Sequence, residues 1–88
     1  MYLHLGGDIA VPTRDIVAVL DLDNASYAWR TREFLRRAEL EGSVVSVSQE
    51  LPKSLVVCRR PDGHGQILYL CQPGSATLLR RSQAGFSL

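Results

Sequence analysis

Hydrophobic and polar positions along the chain fall into eight short patterned stretches. Residues 2–5 (YLHL) read as a strand, and 6–8 (GGD) as a tight turn where glycine tolerates positive φ. Residues 9–12 (IAVP) return as the second half of a hairpin, ended by Pro12, which has no amide to donate. Residues 16–22 (IVAVLDL) form a third strand. Cap residues at 23–26 (DNAS) then open a helix whose inward stripe is Tyr27, Thr31, Phe34, Leu35 and Ala38 at helical spacing. Arginines and glutamates fill its other faces, Trp29 falls off the stripe, and Gly42 stops it. Residues 44–48 alternate as a half-buried strand. Residues 54–60 and 66–72 pair as a hairpin across the turn signal PDGHG at 61–65. Pro73 and Gly74 break the last strand, and Ser75 caps a short helix with a basic end at Arg80 and Arg81.

The pattern therefore predicts an α+β fold: a small twisted antiparallel sheet with two helices, in the order β-β-β-α-β-β-β-α. One domain spans 1–82, and 83–88 form a flexible tail.

One stretch does not fit a simple two-layer protein. In TRDIVAVLDLDN (13–24), Ile16, Ala18, Leu20 and Leu22 share one side of a strand, while Val17 and Val19 put apolar groups on the other. Strands at a surface alternate apolar with polar. Strands 54–60 and 66–72 are also apolar on both faces, and two helices are too few to cover both sides of the sheet. A chain of 88 residues buries only about 60–65% of its unfolded surface. Contact with copies of itself is the remaining cover, because obligate interfaces resemble a core cut in half. Ile16, Val17, Val19 and Leu20 are the expected interface.

Composition, at 45% hydrophobic, is that of a globular domain. The start MYLHLGGD lacks the basic and long apolar regions of a signal peptide, and no run approaches the roughly 20 apolar residues of a membrane span. Two cysteines, Cys58 and Cys71, make no disulfide framework, so a reducing, cytoplasmic setting is the expectation. The net charge of +1 names no partner, but its distribution is uneven. Residues 1–50 carry five basic and eight acidic groups, and residues 51–88 carry five basic and one acidic. Nine of the ten basic residues are arginine. A GC-rich genome accounts for that bias, and so does phosphate recognition, which arginine's planar fork suits better than lysine.

Enzyme chemistry finds no foothold. His4 and His64 have no second metal ligand at useful spacing. If residues 60 and 66 pair, Cys58 faces 68 and is out of register with Cys71, so both cysteines read as buried, inert hydrophobes. LGGD lacks the phosphate-loop pattern, and no acid–base or nucleophile set can be named. No cofactor is implied. Arg36 and Arg37 alternate with glutamates, as a solvated helix face does. Arg14 and Lys53 differ: both sit in turns, where binding residues concentrate. Arg14 has no structural task in view except pairing with Asp15.

The blocks MYLHLGGD, TRDIVAVLDLD, TREFL, LPKSLVV and SATLLRR, in order over residues 1–82, resemble the RemA/RemB family of small bacterial extracellular-matrix regulators. RemA-like members are ring-forming DNA-binding proteins that activate biofilm matrix genes. The resemblance implies a closed homo-oligomeric ring presenting the same cations repeatedly to duplex DNA, with the second face of 16–22 covered by the next subunit. Arg14 matches the arginine of the family's first turn region, which those members use on DNA. Their second basic element, an Arg-Arg pair ahead of strand 54–60, falls here on Glu50 and Leu51, with Lys53 keeping a cation nearby. That departure points to the RemB branch.

The expected function is thus a non-enzymatic oligomeric DNA-binding regulator. Arg14 and Lys53 would contact phosphate, and Arg59 and Arg60 would assist from an exposed strand end. The competing expectation is an oligomeric scaffold or adaptor with no nucleic-acid role.

Overall fold

A computed structural model of the chain describes residues 1–22 and 28–86; the side chains of Ala28, Thr31 and residues 83–86 lie outside that description. The elements are β1 (Tyr2–Gly6), β2 (Ile9–Pro12), a 3-10 turn (Thr13–Asp15), β3 (Ile16–Asp21), α1 (Ala28–Leu40), β4 (Val44–Ser46), β5 (Ser54–Arg59), β6 (Gln66–Cys71) and α2 (Ser75–Phe86). The α+β class and the order of strands and helices are those read from the sequence. Among the described residues no helix is long and apolar enough to cross a membrane.

The sheet is divided and mixed. β1 and β2 make a two-stranded antiparallel hairpin, and the other four strands run in the order β3-β5-β6-β4. β5 is antiparallel to both neighbours, but β4 lies parallel to β6, with Val44 opposite Leu68. α1 carries the chain from β3 across to the far edge, a crossover that returns β4 in the same direction as β3.

Two cores sandwich this sheet. Val56, Cys58 and Cys71 pack with Leu3, Leu5, Val11 and Leu78, which come from the hairpin and α2. Leu55, Val57 and Leu68 pack with Ala38 of α1 on the opposite face. Every residue from Ser54 to Cys58 is buried. Two helices alone indeed do not cover both faces, but the expectation that copies of the chain are the remaining cover is corrected for β5. The hairpin lies over the sheet beside α2 as a further layer, so β5 needs no second subunit for cover. Ser54, fully buried, escapes a polar penalty by donating from its hydroxyl to the Pro73 carbonyl at 2.6 Å.

Local signals account for the boundaries. Gly42, at φ +72°, ends α1 in a Schellman motif. Its N–H donates to the Glu39 carbonyl at 3.0 Å, and the next N–H, from Ser43, donates to the Ala38 carbonyl at 2.9 Å. The β5–β6 turn closes one residue tighter than expected: Arg60 N–H donates to the Gly65 carbonyl, so Arg59 pairs with Gln66 and Cys58 faces Ile67. A turn at Arg60–Gly63, with Asp62 Oδ1 accepting from His64 N–H at 2.8 Å, sets that register. β4 stops at Ser46, two residues before the expected end.

α2 runs to Phe86, into the stretch expected as a tail, so Arg80 and Arg81 lie within the helix and not at its end. Of the expected α1 stripe, Leu35 is half-buried and Ala38 buried, but Phe34 remains 38% exposed. Tyr27, the cap residues 23–26 and the Thr31 side chain lie outside the described residues. Trp29 points to solvent, 70% exposed.

Candidate nucleic-acid interface

β3 is an edge strand whose burial alternates. Its register against β5 slips between Ile16 and Ala18, so Ile16 joins the core under the hairpin while Ala18 and Leu20 join the core under α1. Of the four expected interface residues, Ile16 and Leu20 are half-buried within the protomer. Val17 and Val19 are open, at 59% and 39% exposure. A groove of about 620 Å³ runs along this edge, floored by Leu3, Ile16, Val19, Leu78 and Leu79. Its upper end reaches Thr13, next to Arg14.

The turn that carries Arg14 is anchored at both ends. Thr13 donates from its backbone N–H and its hydroxyl to the Met1 carbonyl, at 3.0 and 3.3 Å. Because Ile16 pairs with Cys58, the next residue of β5, Arg59, arrives beside the turn. Its Nη2 donates to the Arg14 carbonyl at 3.2 Å and sits 3.8 Å from Asp15 Oδ1. The carboxylate is therefore taken by Arg59, and the expected pairing of Arg14 with Asp15 does not form. The Arg14 side chain is exposed, with no ion pair among the described residues.

The other expected cations go elsewhere. Arg60 is half-buried and donates from Nη2 to Ser43 Oγ at 3.2 Å, tying the strand end to the α1–β4 corner. Lys53 has an exposed side chain at the opposite end of β5. Six residue steps along the strand separate it from Arg59, about 20 Å at ~3.3 Å per residue. One protomer thus brings Arg14 and Arg59 together and keeps Lys53 apart. Arg81 donates to the His4 carbonyl at 3.1 Å, fastening α2 to β1. The Asp15–Arg59 contact had no local signal, since it depends on strand register between residues far apart in sequence.

The two cysteines are free and buried. Burial, and secondarily the Asp15 carboxylate, pushes the Cys58 thiol up to about 11. Burial pushes Cys71 up to about 11 as well. Both stay protonated and unreactive at neutral pH. Neither thiol should react with an alkylating reagent in the folded protein, and both should react after denaturation; modification of native protein within minutes would contradict this burial. Raised folded values also set a pH dependence. Above pH ~9 the unfolded thiols ionise while the folded ones do not, so stability falls between about pH 9 and 11 and is fully retained below that window.

Over 88 residues the chain is 36% identical to the extracellular matrix regulatory protein B of Bacillus subtilis (strain 168), an alignment spanning 100% of this chain and 98% of that protein. The chain belongs to the RemB-like family. No protein-family model matches it. Within that family frame, the positions expected for a second basic pair are occupied by exposed Glu50 and Leu51, and the Glu50 N–H donates to Ser48 Oγ at 3.1 Å. This RemB-like chain therefore offers Lys53 as the one cation of its β4–β5 connection.

Proposed function

We propose that the chain is a non-enzymatic, oligomeric DNA-binding regulator of the RemA/RemB type, acting in the cytoplasm on transcription of extracellular-matrix genes. Its kinship with a protein named as a matrix regulator supports the regulatory role. The observation that carries the DNA reading is the state of Arg14: an exposed guanidinium on an anchored turn, whose neighbour in sequence, Asp15, is paired with Arg59. A planar fork with no carboxylate partner among the described residues is suited to a phosphate diester, which accepts two parallel N–H bonds. Lys53 supplies a second, point-charge contact. Arg59 adds charge beside Arg14, whereas Arg60 is committed to Ser43.

One or two phosphate contacts per protomer make a weak site, and repetition makes a strong one. The open edge of β3, with Val17, Val19 and the groove beside it, suits a second copy of the chain, because unpaired strand edges and apolar grooves both favour association. A closed ring built this way sets Arg14 at regular intervals along a duplex. Binding by phosphate contacts alone is sequence-poor and steep in salt.

A scaffold role draws its support from α1, where Trp29, Arg30, Phe34 and Arg37 line a shallow exposed concavity. Aromatic and arginine side chains are enriched in protein–protein hot spots. Native mass spectrometry with a duplex gel shift at about 50 and about 200 mM salt separates the two readings. The DNA reading expects a single oligomer of more than two subunits and a shift that weakens by orders of magnitude at the higher salt. An oligomer that shifts no DNA at either salt establishes the scaffold instead.

A further inference from the structure

We propose that Asp15 and Arg59 are positioning residues: together they hold the Thr13–Asp15 turn in the one conformation that aims Arg14 at a phosphate. The inference rests on the DNA-binding reading and assigns Arg59 a different task from direct phosphate contact. Three observations converge on it. Arg59 Nη2 donates to the carbonyl of Arg14 itself, so the guanidinium grips the backbone of the residue it positions. The same nitrogen lies 3.8 Å from Asp15 Oδ1, and the Asp15 side chain is only 15% exposed against 58% for Arg59. The acid is thus the fixed point and the arginine bridges from it across the turn.

The turn has few other side-chain ties. It is three residues long, closed by the Ile16 N–H donating to the Thr13 carbonyl, with no side-chain cap at Pro12 and none of its residues buried. Thr13 is tied back to Met1, but beyond it the Asp15–Arg59 bridge is the side-chain tether that reaches the carbonyl of Arg14. Without it, the Arg14 carbonyl loses its side-chain anchor, part of the ordering of the turn falls at the moment of binding, and that conformational cost is subtracted from affinity. The juxtaposition also explains why an acidic residue sits next to a phosphate-binding arginine. As a bare charge Asp15 repels DNA, but as the anchor of Arg59 it prepares the site.

The test exploits that opposition of signs. Asp15→Asn removes a negative charge near the duplex, so simple electrostatics expects tighter binding. The positioning role expects binding about three- to tenfold weaker, the cost of freezing a turn on contact. The slope of log affinity against log salt should be unchanged, since no phosphate contact is deleted. In an Arg14→Ala background the same substitution should weaken binding no further, because the residue being positioned is gone. Should Asp15→Asn reduce folding, as melting and native mass would reveal, Arg59→Lys serves in its place. It keeps the charge, but its side chain ends one bond short of the position from which Nη2 reaches both the Arg14 carbonyl and Asp15, and the same loss with the same slope is expected. Wild-type-like or tighter binding by the folded variant, or a weakening that persists without Arg14, overturns the positioning role while leaving the DNA reading intact. Absence of DNA binding by the wild type overturns both.

Discussion

Arg14→Ala should remove most of the DNA affinity while leaving the oligomer and its melting temperature unchanged. The side chain is exposed and makes no ion pair among the described residues, so its removal deletes no packing. Surface substitutions of that kind usually stay within about ±0.5 kcal/mol of stability. Deleting one cation–phosphate pair lowers the slope of log affinity against log salt by roughly 0.9 on duplex DNA. In the proposed ring the site repeats, so one substitution would delete several such pairs at once and their effects would combine. Lys53→Ala should act in the same direction but more weakly, as a point charge lacks the two-pronged geometry of arginine. Had Arg14 been paired with Asp15, its removal would have lowered stability and spared DNA. The Arg59 contact to Asp15 removes that explanation. A gel shift titrated at several salt concentrations, with light scattering on the same samples, measures both quantities. Equal shifts by wild type and variant at every salt would exclude Arg14 as a phosphate ligand.

The largest loss of stability should come from Leu55→Ala. Leu55 is fully buried within β5, opposite Leu20 on one neighbour and Leu70 on the other, in the core beneath Ala38 of α1. Ala38 has no longer side chain to swing into the space, and strand pairing on both sides prevents collapse. The cost should therefore fall in the upper part of the range for such truncations, about 3–5 kcal/mol. For a domain of this size that is a large part of a total of roughly 5–15 kcal/mol. Thermal melts at fixed protein concentration should show a drop well above about 10 °C. Leu51→Ala, at a leucine 84% exposed, should change the same melt hardly at all. Comparable losses at the two leucines would mean that the burial assigned to β5 is wrong.

Much of the fold was legible in the order of residues. Gly42 marked the end of α1 because only a residue free of a Cβ readily takes the left-handed conformation that a Schellman motif requires. PDGHG marked a tight turn, and the apolar runs on either side marked β5 and β6 as buried strands. Arg14 stood out because it occupied a turn with no structural task. The family blocks spread over the chain matched the kinship with the matrix regulatory protein.

What composition and periodicity could not supply were the relations between elements. Pattern shows that a face is apolar but not what lies on it, so the hairpin as a layer beside α2 was invisible, and the two-sided strands seemed to demand a second subunit. Register was set by how the turn closes, with Arg60 N–H on the Gly65 carbonyl, and a shift of one residue leaves the hydrophobic pattern of a strand buried on both faces unchanged. The parallel seat of β4 beside β6 depends on where α1 delivers the chain. The grip of Arg59 on Arg14 and Asp15 depends on tertiary register, since Arg14 and Arg59, 45 positions apart, meet only when β3 lies against β5. Strands, helices and turns could be assigned from the residues alone, because those preferences act within a few positions of chain. Which charge meets which emerged only from the packed molecule, because an ion pair is set by distance in space and not by order along the backbone.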